Sequence, residues 1–152
     1  MELKYTLEGA ENVKKAIKEL LAKEKDVKAE VMNSALNIQK EAGKRLRDYE
    51  AIDTGHLRRS ILVDSLESGL ACEIGPTAGY GPYVEFGTRP HFPPPDALEA
   101  WARHHGFDSA WPICRAIAEH GVPEKPYLFP ALDGEQRKFI ERLEKLLEEA
   151  MK

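Results

Sequence analysis

Four histidines, His91, His104, His105 and His120, surround Cys114 in the second half of the chain, and these are zinc-ligand types. Their spacing argues against a site. Adjacent positions on a helix diverge by ~100°, so His104 and His105 are expected to point apart, and no H-E-x-x-H or C-x-x-C pair sets two ligands on one face. Between Gly75 and Gly81 runs a glycine-rich stretch whose backbone N–H groups could cradle a phosphate. A P-loop, however, carries Lys-Ser/Thr after its last glycine, and a dinucleotide fingerprint opens a helix there; here Pro82-Tyr83 follows. Ser60 lies between Arg59 and Ile61 without a G-x-S-x-G elbow, which leaves it no positioned base. No catalytic residue, cofactor or metal is expected.

Glu85 is different, because it lies between Val84 and Phe86 in an apolar, aromatic segment. Burying a carboxylate there costs several kcal/mol unless it is paired or hydrogen-bonded. Arg58, Arg59 or Arg89 could supply the partner, so a structural ion pair is favoured over a catalytic acid, which would call for a second positioned carboxylate; Glu85 is expected to be at least partly buried and bonded to an arginine or to backbone N–H groups. Tyr80, Tyr83, Phe86, Phe92, Tyr127 and Phe129 concentrate aromatic area in the same half, where it serves a core, an interface or both.

The elements that would position these groups follow from periodicity. Leu3, Tyr5 and Leu7 alternate with Lys4 and Thr6, as in a short edge strand. From Val13 through Ile17, Leu20, Val27, Val31, Ala35, Ile38, Ala42 and Leu46, apolar residues recur in steps of three and four. One helix of about 55 Å would result at ~1.5 Å per residue, with a bend expected in the polar quartet Lys23-Glu24-Lys25-Asp26. Gly55 supplies a reversal, Ser60 to Ser65 and Leu70 to Ile74 read as a hairpin around Leu66–Gly69, and the stretch from Gly75 to Pro82 reads as a loop. Two short helices follow. The first opens at Asp96 and stops at Gly106; the second is capped by Ser109, with Pro112 in its first turn, and ends at Gly121. An Asp133-x-x-Gln136 cap then precedes an amphipathic terminal helix through Phe139, Leu143, Leu146 and Leu147. The fold class is therefore α+β, with a long N-terminal helix packed on a small antiparallel sheet, a helical-hairpin insert at about residues 94–121 and a C-terminal amphipathic helix. Residues 1–152 are expected to form a single domain.

The 152 residues are 42% hydrophobic and 32% charged, with no apolar run of a length that spans a bilayer. No secretory signal is evident at Met1–Leu7, so folding in a reducing cytoplasm with Cys72 and Cys114 as free, buried thiols is expected. Residues 1 to 60 hold 13 of the 22 basic and 11 of the 26 acidic residues, so the two parts carry +2 and −6. That balance argues against wholesale coating of nucleic acid.

Three patches occur in fixed order: Asp53-Thr54-Gly55-His56-Leu57-Arg58-Arg59-Ser60-Ile61, Tyr83-Val84-Glu85-Phe86-Gly87-Thr88, and Lys125-Pro126-Tyr127-Leu128-Phe129-Pro130-Ala131-Leu132. With a helical arm before them and an amphipathic helix after, the chain resembles the tail-completion, or head-tail joining, proteins of long-tailed bacteriophages. That family shows a TG-x-L-R-x-S-I, a Y-V-E-F-G-T and a P-F-L-x-P-A-L segment around a small α+β domain. Tyr49-Glu50-Ala51-Ile52 departs from it in lacking the proline often found before the first segment, and the helical insert belongs to only part of the family. The resemblance implies a virion structural protein of the neck or tail, not an enzyme. It would assemble in the bacterial host cytoplasm, form a ring, and contact other neck and tail proteins, without cofactor, membrane or sequence-specific nucleic acid. Structural or interface candidates are Arg58, Arg59, Tyr83, Glu85, Phe86, Arg89, Tyr127 and Phe129. The rival readings are a nucleic-acid-binding accessory protein, from the helical arm and Arg58-Arg59, and a metal-dependent hydrolase.

Overall fold

A computed structural model describes residues 10–50 and 53–150, so the edge strand expected at Leu3–Leu7 lies outside the described residues. Helix α1 spans Ala10–Ala22 and α2 spans Glu24–Asp48, with the break at Lys23, inside the polar quartet. Then come α3 (His56–Ser60), β1 (Ile61–Leu66), a 3-10 turn at Glu67–Gly69 and β2 (Ala71–Pro76). Helices α4 (Gly81–Phe86), α5 (Pro95–His104), α6 (Trp111–His120) and α7 (Phe129–Ala150) complete the order. The expected α+β class holds, with β1 and β2 forming a two-stranded antiparallel sheet. Each strand begins and ends a residue or two beyond its expected position, because the turn closes on three consecutive left-handed residues, Glu67, Ser68 and Gly69. Among the described residues, no helix is long and apolar enough to cross a membrane.

The chain divides into two compact units, neither continuous in sequence. The first takes the chain up to Lys40, Val63–Ile74 and Ala131 onward. In it, Val31, Ala35 and Ile38 of α2 meet Leu70, Cys72 and Ile74 of the hairpin and Leu132 and Phe139 of α7 around an apolar groove of about 320 Å³. The stripe read from the sequence thus packs a helix on the sheet. Polar groups at the groove's edge are paired: Glu135 accepts from Asn37 Nδ2 at 3.1 Å and from Arg142, whose guanidinium also reaches Ser34 Oγ at 2.8 Å and the Glu30 carboxylate. Burial alone would raise the Glu135 carboxyl. Hydrogen bonds from Asn37, Arg142 and Ser34, together with the Arg142 charge, overcome it and hold the group below the usual carboxylate range.

The second unit comprises Glu41–Leu62 and Gly75–Pro130. Ala42 and Leu46 of α2, Leu57 of α3, Ile61 and Tyr127 are buried there. The helical hairpin α5–α6 has its own small core of Ala102, Ala110 and Cys114, flanked by Leu98 and Ile113. Its glycine stops are as expected, with Gly106 at φ 80° and Gly121 at φ 74°. Its cap is not: the Ala110 N–H donates to Glu99 Oε1 of α5 at 3.1 Å, so a carboxylate from the preceding helix stands where Ser109 was expected. Cys72 and Cys114 are both free thiols; Cys114 is buried as expected, whereas Cys72, on the hairpin strand that lines the groove, is only partly buried.

Candidate functional site

The second and third sequence patches meet in the second unit. Helix α4 opens at Gly81-Pro82, which overturns the expectation that no helix follows the glycine-rich stretch, and at six residues it makes fewer than two turns. Glu85 on this helix is 4% exposed. Its Oε2 accepts the backbone N–H groups of Tyr127 and Leu128, both at 2.8 Å, and its Oε1 accepts that of Phe129 at 3.0 Å. Of the two kinds of partner expected for a buried Glu85, an arginine or backbone N–H groups, the structure supplies the second: in place of Arg58, Arg59 or Arg89 stand three backbone donors. They converge because residues 127–129 form the entry to α7, where N–H groups lack intrahelical acceptors. A carboxylate at that end also interacts favourably with the helix dipole. Pro130, next in the helix, has no N–H to satisfy. Glu85 is thus the cap of α7, and the Asp133-x-x-Gln136 cap is corrected: Asp133 lies inside the helix, which starts at Phe129.

Further bonds fasten the same two segments. Lys125 N–H donates to the Val84 carbonyl at 2.8 Å, and the Tyr127 hydroxyl to the Gly81 carbonyl at 3.4 Å. Tyr127 is 1% exposed, and its phenol is pushed up to about 12 by burial first, then by the charge of Glu85 and by Tyr80. Next to α4, Thr88 and Val122 form an isolated antiparallel bridge flanked by Gly87 and Gly121, both at positive φ. A Cβ on Gly87 would lie 2.5 Å from the Val122 carbonyl oxygen, and one on Gly121 would run into that of Thr88. Glycine in E-F-G-T is required by this close backbone approach.

The remaining candidates lie on the outside. Tyr83, Phe86 and Phe129 are 62%, 63% and 57% exposed, and the rings of Phe86 and Phe129 sit 5.6 Å apart, tilted by 51°. Buried carboxylate and phenol thus alternate along the chain with exposed rings. Arg58 and Arg59 are exposed on α3; the Arg58 stem lies against Gly43, and Arg59 donates to the Thr54 carbonyl at 3.0 Å. Arg89 is exposed too.

The first patch lines a pocket of about 240 Å³, bounded by Asp53, Thr54, Gly55, His56, Leu57, Arg58, Tyr80, Val84 and Trp101. His56 Nδ1 is 3.2 Å from the Tyr80 hydroxyl. Ser60 is buried with its hydroxyl donating to the Leu57 carbonyl at 2.8 Å, so it presents no nucleophile. The histidine set separates: Cys114 is internal to α5–α6, His91 contacts the Arg89 carbonyl, and His120 lies beside Glu119. His104 and His105 instead meet Asp53, with potential ligand atoms from all three within 4.8 Å of one another. The sequence reading missed Asp53. No spacing rule joins it to a histidine 51 positions away.

A family model described as "Bacteriophage HK97-gp10, putative tail-component" matches residues 5–87, more than half of the chain. That stretch holds the first sequence patch and the second as far as Gly87. No curated protein and no solved structure matches the chain.

Proposed function

Since the chain belongs to the HK97-gp10-like family of bacteriophage tail components, we propose that it completes the tail or joins it to the head at the neck, acting as a ring of identical copies. The observation that carries this reading is the exposed aromatic set Tyr83, Phe86 and Phe129, mounted on segments locked from beneath by Glu85 and Tyr127. Large rings exposed on a rigid base are the anchors that interfaces use, because they contribute contact area at little cost in side-chain entropy. In a ring the contact is heterologous, so the aromatic face of one copy meets a different face of the next, and rotation closes the assembly. The protein then resides in the virion, in contact with other neck and tail proteins, and its role is structural.

Deletion of the gene in a phage or prophage that encodes it is the direct test. Filled heads and separate tails that fail to join are expected, and complementation should restore joined particles carrying the protein at the neck. Normal joined particles from the deletion would overturn the proposal. The nucleic-acid reading draws on Arg58 and Arg59, but Arg59 is engaged by Thr54 and the net charge is −4. Salt-resistant, sequence-selective binding to duplex DNA would favour it instead.

A further inference from the structure

We propose that Asp53, His104 and His105 form a binding site for a late first-row divalent cation, zinc in the first instance, which ties the segment before Gly55 to the end of α5. The donor set of two imidazoles and a carboxylate suits zinc, nickel or copper and not magnesium or calcium. Potential ligand atoms of the three exposed residues already lie within 4.8 Å of one another, so small χ adjustments of Asp53 and His104 bring them onto an ion beside His105.

Two features orient the ligands. His105 Nδ1 lies 2.9 Å from the Trp101 carbonyl oxygen, which only accepts, so Nδ1 carries the hydrogen and Nε2 keeps its lone pair for a metal. The same imidazole stacks on the Trp101 ring, with centroids 4.0 Å apart and planes 18° from parallel, which restricts its rotation. His104 Nδ1 lies 2.5 Å from Asp53 Oδ1. A cation takes the place of the hydrogen between these two atoms, with His104 binding through Nδ1 as a neutral imidazole whose one ring hydrogen is on Nε2.

Position on the helix also contributes. His104 is the last residue of α5 and His105 its C-cap, with φ −97° and ψ 14° outside the helical range, so the divergence expected of neighbours in a regular helix does not apply to this pair. The carbonyl end of a helix attracts positive charge. The nearby guanidinium of Arg103 is drawn to Glu99, 3.6 Å away. With three protein ligands at the surface, water completes the coordination, and the ion acts as a clip.

The test is calorimetric titration of the full chain, stripped with a chelator, with zinc chloride. A single zinc per chain is expected for the wild type, with affinity lowered roughly tenfold or more in His104→Ala, His105→Ala and Asp53→Ala. His91→Ala and His120→Ala, which remove histidines outside the cluster, should bind as the wild type does. Absence of saturable binding, or equal weakening by His91→Ala or His120→Ala, would overturn the proposal. Nitrogen-15 spectra of the wild-type imidazoles give a reading independent of how the variants fold. Zinc should shift the ring nitrogens of His104 and His105, and shifts confined to other histidines would count against the site.

Discussion

Glu85 and Tyr127 are 42 residues apart in sequence, yet the carboxylate of one accepts the backbone N–H of the other at 2.8 Å and carries two more N–H bonds on the same pair of oxygens. One side chain therefore satisfies the backbone at the entry to α7. Charge-assisted bonds of this kind are roughly twice as strong as neutral ones. The Y-V-E-F-G-T and P-Y-L-F-P-A-L segments thus act as one structural device.

Glu85→Ala leaves those three donors without their acceptor, and a loss of about 1 to 3 kcal/mol is expected. It should appear as a lower urea midpoint with an unchanged slope. Glu85→Gln keeps one carbonyl oxygen and should fall between the two. An unchanged midpoint in the alanine variant would refute the capping role.

Tyr127 should ionise late. Its folded phenol is pushed up to about 12, against 10.0 for an unperturbed group. The resulting stabilisation is fully present below about pH 10 and is lost as pH rises from there through about 12. Ultraviolet titration of the wild type should show one tyrosine step that Tyr127→Phe removes. A titration in which all tyrosines ionise near the ordinary value contradicts the burial argument.

Glu135 gives the opposite slope, on the acid side. Its folded carboxyl lies below the ordinary 4.5, so its contribution is present above that value and disappears as pH falls through the folded pKa. Glu135→Gln should flatten the dependence of stability on pH below about 4.5. Arg142→Met removes the guanidinium that joins Glu30, Ser34 and Glu135 and should cost about 1 to 3 kcal/mol near neutral pH. Melting curves across the acid range distinguish these outcomes from a network that contributes nothing.

Gly87→Ala and Gly121→Ala should each destabilise by more than about 1 kcal/mol, since the new Cβ meets backbone at a positive φ. Gly79→Ala, where nothing lies within 4 Å, should stay within about 0.5 kcal/mol of the wild type. Equal melting temperatures for all three would show that the Thr88–Val122 bridge tolerates separation.

Tyr83→Ser combined with Phe86→Ser should leave the fold within about 1 kcal/mol of the wild type, because both rings are exposed. The same variant should fail to complement a deletion phage. Wild-type numbers of joined particles from this folded variant would remove the aromatic face from the proposed interface.

The sequence by itself determined what neighbouring residues control. The apolar steps along α2, the break at Lys23 and the stops at Gly106 and Gly121 are local consequences of side-chain periodicity and of allowed φ, and they stand where the sequence placed them. The hairpin was legible to within a residue or two. Tertiary structure decided every feature in which the partner comes from far along the chain. Phe129 opens α7 because Glu85 accepts its N–H from 44 positions away, so the local Asp133 signal, sound by its spacing, lost to a better acceptor. Ser109 lost α6 to Glu99 in the same way. Asp53 and His104, 51 residues apart, came together with no pattern to announce them. A period or a glycine constrains only its own few bonds, whereas a distant carboxylate acts once the chain has folded it into reach.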